Sequence, residues 1–324
     1  MNCDWIQNLN GCLLVNKPKD ISSFQVIREL SRALGEASGL SKRKLPKIGH
    51  GGTLDPFADG LMVILLGKAS KLSRYLLGSK KEYRALMRFG EKTPTGDHCS
   101  DPISTTESIP VDLDSIATAG QVFLERVYQQ IPPMYSAKQK DGVRLYELAR
   151  EGKEIEREPC PCTIYELDVE SYESPLATMR VVCSGGTYIR TLAEDLAEGM
   201  GSKAHLQALT RLASGSFALA QAEELGELTE AILAKQAPQE YKAWVPYDQI
   251  LDGCMIKQVT QSTAFDFYQG RKDVIREFLS SLSPKKEGLL VLKHEQTLVA
   301  TLRFDEQRGA WTLEKVMCDY SKGY

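Results

Sequence analysis

The sequence predicts an α+β fold with a small β-domain at its carboxyl end. Short apolar or alternating segments, which are typical of strands, are interspersed with segments whose apolar residues recur at helical spacing. From about residue 253 onward, the helical spacing gives way to short strands and turns. We therefore expect a large first domain at residues 1–250 and a small second domain at residues 251–324.

The first predicted elements are a short buried strand at residues 13–16 and a helix at residues 24–34. Ser22 and Ser23 precede this helix, where a serine hydroxyl can accept a free amide hydrogen of the first turn. Residues 35–47 are rich in Gly, Ser and Lys and predict a mobile linker. This linker leads to a glycine-rich loop and then to a strand-length apolar run.

The remaining elements follow from the spacing of apolar residues. Residues 81–89 alternate between apolar and polar side chains, as a half-buried strand does. Thr187 precedes a further helix and is a candidate for its cap. The other predicted helices cover residues 69–77, 115–127, 142–152 and 223–235, and the other predicted strands cover residues 163–169, 177–183, 289–294, 297–304 and 311–316.

The composition is that of a folded soluble protein, with 42% hydrophobic and 26% charged residues. No apolar run is longer than residues 61–66, whereas a membrane-spanning helix needs about 18 apolar residues. The amino terminus lacks the basic and apolar regions of a signal peptide, so we expect a cytoplasmic protein. The cysteines are scattered, and Cys160-Pro-Cys162 lacks the spacing of a zinc site, so we expect reduced thiols and no metal.

Charge is unevenly distributed along the chain. The net charge of −3 argues against a nucleic-acid partner, because such proteins usually present a basic surface. Residues 1–90, however, carry 15 Lys and Arg against 7 Asp and Glu, a net charge of +8. This basic segment either forms a solvated face or attracts phosphates, whatever the total charge.

The most informative loop lies within residues 47–67, KIGHGGTLDPFADGLMVILLG. Gly51 and Gly52 accept backbone angles that other residues resist, and Pro56 fixes its own φ and favours an extended Asp55. The loop therefore presents the carboxylate of Asp55 on a stiff backbone beside a buried strand. Its chemistry alone leaves two interpretations open, a turn whose aspartate caps the backbone and a nucleophile held in place.

The segment GHGGTLDPFADGLMVILLGKASK resembles the signature loop of the TruB-type pseudouridine synthases, the family that makes pseudouridine in the T loop of tRNA. Gly51 departs from that pattern, because most members of the family have Thr or Ser there. The resemblance extends from about residue 11 to residue 215. Its other segments, in the order of the family's motifs, are GCLLVNKPKDISS, KEYRALMRFGEKTPTGD, IPPMYSAKQKDGVRLYELAREG, CSGGTYIRTLAEDL and AHLQALTRL.

The resemblance implies a catalytic domain with a mixed, largely antiparallel sheet and flanking helices, followed by a PUA-like RNA-binding domain. It implies that the protein converts uridine to pseudouridine at position 55 of tRNA by base flipping, with Asp55 as nucleophile or base. The expected partner is the T stem-loop of tRNA. We expect a monomer that requires neither a cofactor nor a protein partner.

The resemblance also assigns roles to residues around Asp55. His50 is implied to contact the RNA where the target base is extruded, and Tyr83 to stack on the flipped uracil. Leu209 is implied to bring its backbone close to the base, and Asp97 to be a second carboxylate near the site. The other substrate-binding and supporting residues are Tyr188, Arg190, Lys17 and Pro18.

Asp55 must be ionised to act on the ribose, either by attacking C1′ or by removing a proton from C2′, and the sequence leaves both routes open. Burial disfavours a charged carboxylate, whereas a neighbouring arginine favours it. Arg190 lies at the start of a predicted helix, where the helix dipole does not favour a cation, so it needs a carboxylate partner. A guanidinium can hold two carboxylates in fixed orientation, and we therefore expect Arg190 to pair with both Asp55 and Asp97.

Three other functions remain open at this stage. The first is a guide-RNA-dependent relative that modifies ribosomal RNA, although the chain lacks the extra basic segments of such relatives. The second is a tRNA-folding chaperone whose catalysis is incidental. A glycosidase is the third, and it is disfavoured because no paired carboxylate motif accompanies the loop.

Overall fold

The computed structural model describes residues 4–6, 9–124, 126–136, 138–140, 142–153, 155–237, 240–283 and 288–318. The chain divides into two compact units, Met1–Trp244 and Val245–Tyr324. The sequence had placed the boundary between domains after residue 250.

The first unit contains a large sheet with helices packed against it. Its strands are β1 (Gly11–Lys17), β2 (Ile48–His50), β3 (Asp59–Leu66), β4 (Lys81–Phe89), β5 (Glu91–Lys92), β6 (Ser104–Thr105), β7 (Val127–Gln130), β8 (Gln139–Lys140), β9 (Val143–Arg144), β10 (Cys160–Glu173), β11 (Leu176–Cys183), β12 (Ala204–Ser214), β13 (Phe217–Ala218) and β14 (Glu223–Glu224), and β15 (Trp244–Pro246) spans the division between the units. Its helices are α1 (Ser23–Ser38), α2 (Ser73–Gly78), α3 (Leu113–Gly120), α4 (Leu145–Arg150), α5 (Ile189–Gly199) and α6 (Leu225–Leu233).

The strands of the large sheet follow the order β14-β1-β3-β12-β4-β11-β10-β7 across the described residues. The pairs β1–β14 and β3–β12 are parallel, and the other pairs along this path are antiparallel. The short strands β2 and β13 pair with β3 and β12. A mixed, largely antiparallel sheet with flanking helices is therefore confirmed.

The centre of the sheet is apolar and positions the loop that contains Asp55. Residues 61–66 in β3 are completely buried between β1 and β12. In β4 the alternation predicted from the sequence is confirmed, because Tyr83, Ala85, Met87 and Phe89 are buried. α5 packs against the central strands β12 and β4.

The first helix is longer than predicted. α1 extends to Ser38 because Leu34 and Ala37 continue its buried stripe, and the cost of about 1 kcal/mol for Gly35 does not end it. The helix ends at Gly39, whose φ of 67° is left-handed. Ser22 is the amino-terminal cap, as predicted, and forms a capping box with Gln25. The predicted linker therefore starts four residues too early.

Three further predicted helices are wrong in part, and so is one predicted helix cap. The segment predicted as a helix at residues 69–77 is a 3₁₀ helix at Gly67–Leu72 followed by α2. The helices predicted at residues 115–127 and 142–152 are the shorter α3 and α4. Thr187 does not cap α5, because its hydroxyl donates to the Ser184 carbonyl and Tyr188 occupies the cap position.

The second unit has its own sheet and its own core. Its strands β16 (Met255–Gln258), β17 (Leu289–His294), β18 (Thr297–Asp305) and β19 (Ala310–Val316) are adjacent in that order. Two helices, α7 (Gln261–Gln269) and α8 (Lys272–Ser280), pack against this sheet. A carboxyl-terminal β-domain is therefore confirmed, but the sequence analysis missed both helices.

None of the helices in the described part of the chain has the length and apolar character that crossing a membrane requires.

Candidate active site

Asp55 lies in the loop between β2 and β3, and hydrogen bonds fix this loop at several points. The amide of Gly51 donates to the Val63 carbonyl over 2.9 Å, and the amide of Asp20 donates to the Pro56 carbonyl over 2.8 Å. Gly52 and Gly60 have φ values of 147° and 99°, which favour glycine. The expectation of a stiff loop around Asp55 agrees with this geometry.

Ser23 at the start of α1 holds the residue before Asp55. Its hydroxyl donates to the Leu54 carbonyl and accepts from the Leu54 amide, both over 2.8 Å. Ser23 and Leu54 are buried, so these bonds are shielded from water. The first turn of α1 is therefore joined to the Asp55 loop through both the amide and the carbonyl of Leu54.

Arg190 in the first turn of α5 is the direct partner of Asp55. Its Nε atom lies 2.8 Å from Oδ2 of Asp55, and its Nη1 atom lies 3.9 Å from Oδ2 of Asp97. Its Nη1 and Nη2 atoms also donate to the carbonyls of Thr95 and Tyr135, over 2.6 and 2.9 Å. The side chain of Arg190 is 3% exposed and that of Asp55 is 32% exposed. The predicted pairing of Arg190 with both carboxylates is confirmed, and its contact with Asp55 is the closer one.

Asp97 has its own local support. Oδ1 of Asp97 accepts a hydrogen bond from the Thr95 hydroxyl over 2.6 Å and another from the Cys99 amide over 3.0 Å. These bonds orient the carboxylate so that Oδ2 faces Arg190. Asp97 therefore meets the guanidinium at Nη1, whereas Asp55 binds it at Nε.

Lys17 is the last residue of β1, and its side chain binds the loop that contains Asp55. Its ammonium group donates to the carbonyls of Pro18, Ile21 and Pro56 over 2.7, 2.8 and 3.2 Å, which satisfies all three of its donors. Burial lowers the pKa of Lys17 to about 8. Pro18 is exposed and contributes its carbonyl to this arrangement.

Arg211 in β12 is a support that the sequence analysis missed. Its guanidinium donates to the carbonyls of Leu61, Thr53 and Gly52 over 2.7, 3.3 and 3.1 Å. These carbonyls lie on both sides of Asp55 in the chain. The buried guanidinium of Arg211 therefore connects the segments before and after Asp55. The AHLQALTRL segment contains Arg211, but backbone acceptors carry no residue-type signal that would have identified its partners.

Tyr83 and Leu209 lie on the adjacent central strands β4 and β12. Tyr83 is 8% exposed, pairs in register with Arg211 and interacts with its side chain. Burial raises the pKa of the Tyr83 hydroxyl, so it stays protonated at neutral pH. Leu209 is also buried. Neither Tyr83 nor Leu209 is among the residues that line the cleft over Asp55.

His50 ends β2 at the entrance to the loop. Its Nδ1 atom accepts a hydrogen bond from the Gly52 amide over 3.2 Å, which requires that nitrogen to be unprotonated. Burial lowers the pKa of His50, so the imidazole is neutral at pH 7. The role of His50 in binding RNA stays a prediction.

Tyr188 precedes α5, and the side chain of Gln130 in β7 binds the backbone of Tyr188. The side-chain amide of Gln130 accepts from the Tyr188 amide over 2.7 Å and donates to the Tyr188 carbonyl over 2.9 Å. Burial raises the pKa of the Tyr188 hydroxyl. Because Tyr188 is two residues before Arg190, Gln130 also fixes the start of the helix that carries the guanidinium.

A cleft of about 980 Å³ opens over Asp55. Its polar floor contains Asp55, Arg190 and Asp97, with His50 on the same lining. Its apolar wall is formed by side chains from α1, from the segment before α4 and from α4, namely Phe24, Ile27, Tyr135 and Tyr146. The sequence predicted that Tyr83 is the aromatic residue that stacks on the target base. The tyrosines that line the cleft are Tyr135 and Tyr146.

Gly51 packs directly against α2. A Cβ atom at this position would lie 2.9 Å from Cβ of Leu76 and 3.4 Å from Cβ of Val63. A distance below 3.0 Å between such atoms requires one of them to move. The absence of a side chain at residue 51 therefore allows the loop and α2 to approach each other closely.

The described residues contain no group of three or more His, Cys, Asp or Glu side chains that could hold a metal ion.

The comparisons with known proteins agree with this fold and this loop. The sequence model described as the TruB family pseudouridylate synthase (N terminal domain) matches residues 40–189. The model described as the tRNA pseudouridylate synthase B C-terminal domain matches residues 190–254. The matched residues include Asp55, Asp97 and Arg190. The protein has the fold of a pseudouridine synthase, and the chain belongs to the TruB family.

Individual relatives show how far the similarity extends. The tRNA pseudouridine synthase B of Pseudomonas aeruginosa is 38% identical over 266 residues, which cover 82% of this chain and 84% of the relative. The tRNA pseudouridine synthase B of Thiobacillus denitrificans is 42% identical over 265 residues, with the same coverage of 82% and 84%.

A chain in the crystal structure of a Cbf5-Nop10-Gar1 complex has a similar fold. It superposes with a TM-score of 0.70 at 21% identity, over 99% of this chain and 88% of that one. At this identity the likeness concerns the fold alone.

Proposed function

We propose that this protein isomerises uridine to pseudouridine at position 55 in the T loop of tRNA, with Asp55 as the catalytic carboxylate. The observation that carries the proposal is the ion pair between Asp55 and Arg190 on the floor of the cleft. The names of the relatives from P. aeruginosa and T. denitrificans support tRNA as the substrate.

The reaction rearranges bonds within one nucleotide and consumes no other reactant. The N1–C1′ glycosidic bond breaks, the uracil turns, and a bond forms between C5 and C1′. C5 loses its hydrogen as a proton and N1 gains a proton, so the product has the same atoms as the substrate. Asp55 either attacks C1′ or removes a proton from C2′, and both routes require the carboxylate to be ionised.

Arg190 provides the charge that such a carboxylate needs in a partly desolvated cleft. Its Nε atom binds one oxygen of Asp55 and leaves the other oxygen available for the ribose. The carbonyls of Thr95 and Tyr135 prevent the guanidinium from following Asp55 when the nucleotide binds. Arg190 is therefore suited to hold the Asp55 carboxylate in a fixed direction.

The target nucleotide must leave its stack to reach Asp55, at a cost of a few kcal/mol. We assign Tyr83 to stacking on the extruded uracil, His50 to contacting the RNA at the vacated position, and Leu209 to approaching the base through its backbone. The neutral imidazole of His50 suits this contact because it requires no change in protonation. Tyr83 must become accessible for its role, because it is 8% exposed.

The direct test is the release of tritium from tRNA labelled at C5 of uridine. Asp55→Asn should abolish release while retaining tRNA affinity, because most contacts that hold RNA are to phosphates. Asp168→Asn is a matched control, since it removes a carboxylate that binds Arg180 over 3.0 Å on an exposed surface. The control should release tritium at the wild-type rate. Measurable turnover by Asp55→Asn would remove Asp55 from the catalytic role.

The same assay separates this function from its alternatives. The purified protein alone should act on an isolated T stem-loop. A requirement for a guide RNA or for accessory proteins would instead indicate a guide-dependent enzyme. If Asp55→Asn promoted tRNA folding as well as the wild type, a chaperone function would coexist with catalysis.

We further propose that the protein acts as a monomer without a cofactor. The unit Val245–Tyr324 is assigned as a PUA-like RNA-binding domain. The support for this assignment is its separate sheet and its own apolar core, which includes Phe267, Leu292 and Trp311.

A further inference from the structure

The wall of the cleft above Asp55 contains a strongly exposed aromatic residue, Phe24. Its side chain is 71% exposed, the highest value for an aromatic residue among those described, and it lines the cleft together with Ile27 one helical turn later. Exposed apolar residues that are scattered singly need no explanation. Phe24 differs from these because it faces the same cleft as the catalytic carboxylate.

Phe24 is held in a fixed position relative to Asp55. It follows Ser23, whose hydroxyl forms two hydrogen bonds with the backbone of Leu54, the residue before Asp55. The capping box of Ser22 and Gln25 fixes the same turn of α1. The ring therefore projects from a rigid turn, and little conformational freedom would be lost when a ligand covers it.

The cleft has more room than a single base requires. Its volume of about 980 Å³ lies near the upper end of the roughly 300–1,000 Å³ that is common for small-molecule pockets. The ribose of the target uridine must reach the floor, where Asp55 is 32% exposed and Arg190 is 3% exposed. The outer part of the cleft then faces whatever adjoins the target in the RNA chain.

The chemistry of the wall favours a nucleobase as that occupant. A phenyl ring forms no ordinary hydrogen bonds but presents a flat apolar face, on which any of the bases can stack. We propose that Phe24 stacks on the nucleobase next to the target uridine and forms a second base subsite at the mouth of the cleft. This proposal rests on the proposed function, because it takes the ligand to be an RNA loop.

The test uses T stem-loops with 2-aminopurine at the 5′ or the 3′ neighbour of the target, bound to the Asp55→Asn protein so that no turnover occurs. Stacking should quench the emission of 2-aminopurine at one of these positions. Adding Phe24→Ala should abolish the quenching and weaken binding by about 5- to 150-fold, the range that stacking on an aromatic ring spans.

Two further variants separate stacking from simple apolar contact. Phe24→Trp should bind RNA at least as tightly as the parent and retain the quenching, whereas Phe24→Leu should lose most of both. Val111→Ala, a truncation of another exposed apolar residue outside the cleft, is the control and should change neither. Because Phe24 is exposed, its variants should unfold at the same denaturant concentration as the parent.

The proposal is overturned if Phe24→Ala binds within twofold of the parent, if Phe24→Leu binds as tightly as the parent, or if neither neighbour is quenched. These results are distinct from a failure of the proposed function. That failure would appear as an absence of tritium release by the wild-type protein, an assay that does not involve residue 24.

Discussion

Arg190 shows how one side chain can organise the site at the scale of a residue. Its guanidinium meets Asp55, Asp97 and the carbonyls of Thr95 and Tyr135 at the same time. An ammonium group has three donors on a flexible stem and cannot reproduce this planar arrangement. The direction of the Asp55 carboxylate therefore depends on the shape of its partner as well as on its charge.

Arg190→Lys tests that dependence. We expect kcat to fall by about a hundredfold, because a displacement of roughly 1 Å at a reacting group costs about that much. The measurement is steady-state tritium release, with RNA affinity determined separately. Arg180→Lys is the matched control, since Arg180 also binds several carboxylates but lies at the surface of the sheet. A wild-type kcat in Arg190→Lys would show that charge alone is sufficient.

The two carboxylates and Arg190 were predictable from the sequence, whereas the contacts of Arg211 with the backbone of the loop were not. Asp55, Asp97 and Arg190 were identified from loop chemistry, from family motifs and from the rule that a cation at the start of a helix needs a carboxylate partner. Arg211 binds only carbonyls among its three described hydrogen bonds, and a carbonyl is present at every position of a sequence. Such a partner can be identified only after the chain has folded.

At the scale of elements, two adjacent serines at the start of α1 make different contributions to the structure. Ser22 caps the helix, and Ser23 binds the backbone of Leu54 in the Asp55 loop. The cap stabilises α1 alone, whereas the second contact connects α1 to the site. Substitution of each serine separates the two contributions.

Ser23→Ala should lower the free energy of unfolding by about 1–3 kcal/mol, because it leaves buried backbone groups of Leu54 without a partner. It should also lower kcat by roughly tenfold, since the residue next to Asp55 loses its anchor. Ser22→Ala should cost about 1 kcal/mol of stability and leave kcat unchanged. Denaturant unfolding and tritium release measure both effects, and equal kcat values in the two variants would contradict this assignment.

Two strands were predicted more accurately than the helix ends, for a physical reason. β4 and β17 have the predicted bounds, because alternation or an unbroken apolar run defines a strand along its whole length. The ends of α1 and α3 depend on which residues find tertiary partners, and local spacing does not contain that information. α7 and α8 were missed although Thr260 and Gly270 cap α7, because a pattern of short strands dominated that region.

At the scale of the whole molecule, the distribution of charge matters more than its sum. The chain has a net charge of −3, yet its first 90 residues have a net charge of +8. Lys42 and Lys44 are exposed in the segment between α1 and β2, which leads directly to the Asp55 loop. Exposed lysines of this kind can attract an anionic RNA despite the acidic remainder of the chain.

Replacing Lys42 and Lys44 together by Gln tests this arrangement. We expect weaker RNA binding and a slope of log K against log salt that is shallower by about 1.5, which corresponds to two lost phosphate contacts. The control replaces Lys235 and Lys242, which are also exposed, and thus produces the same change in net charge. RNA binding is measured at several salt concentrations. Equal slopes for the two double variants would show that Lys42 and Lys44 contribute no more to RNA binding than other exposed lysines do.

Gly51 has a consequence for how this protein can change over evolution. The space that a Cβ atom would need there is occupied by Leu76 of α2. Because the nearest atom is Cβ of Leu76, 2.9 Å away, any side chain at residue 51 requires α2 to move unless position 76 is glycine. We therefore expect that a loop with a side chain at residue 51 fits this protein only when α2 is exchanged together with it.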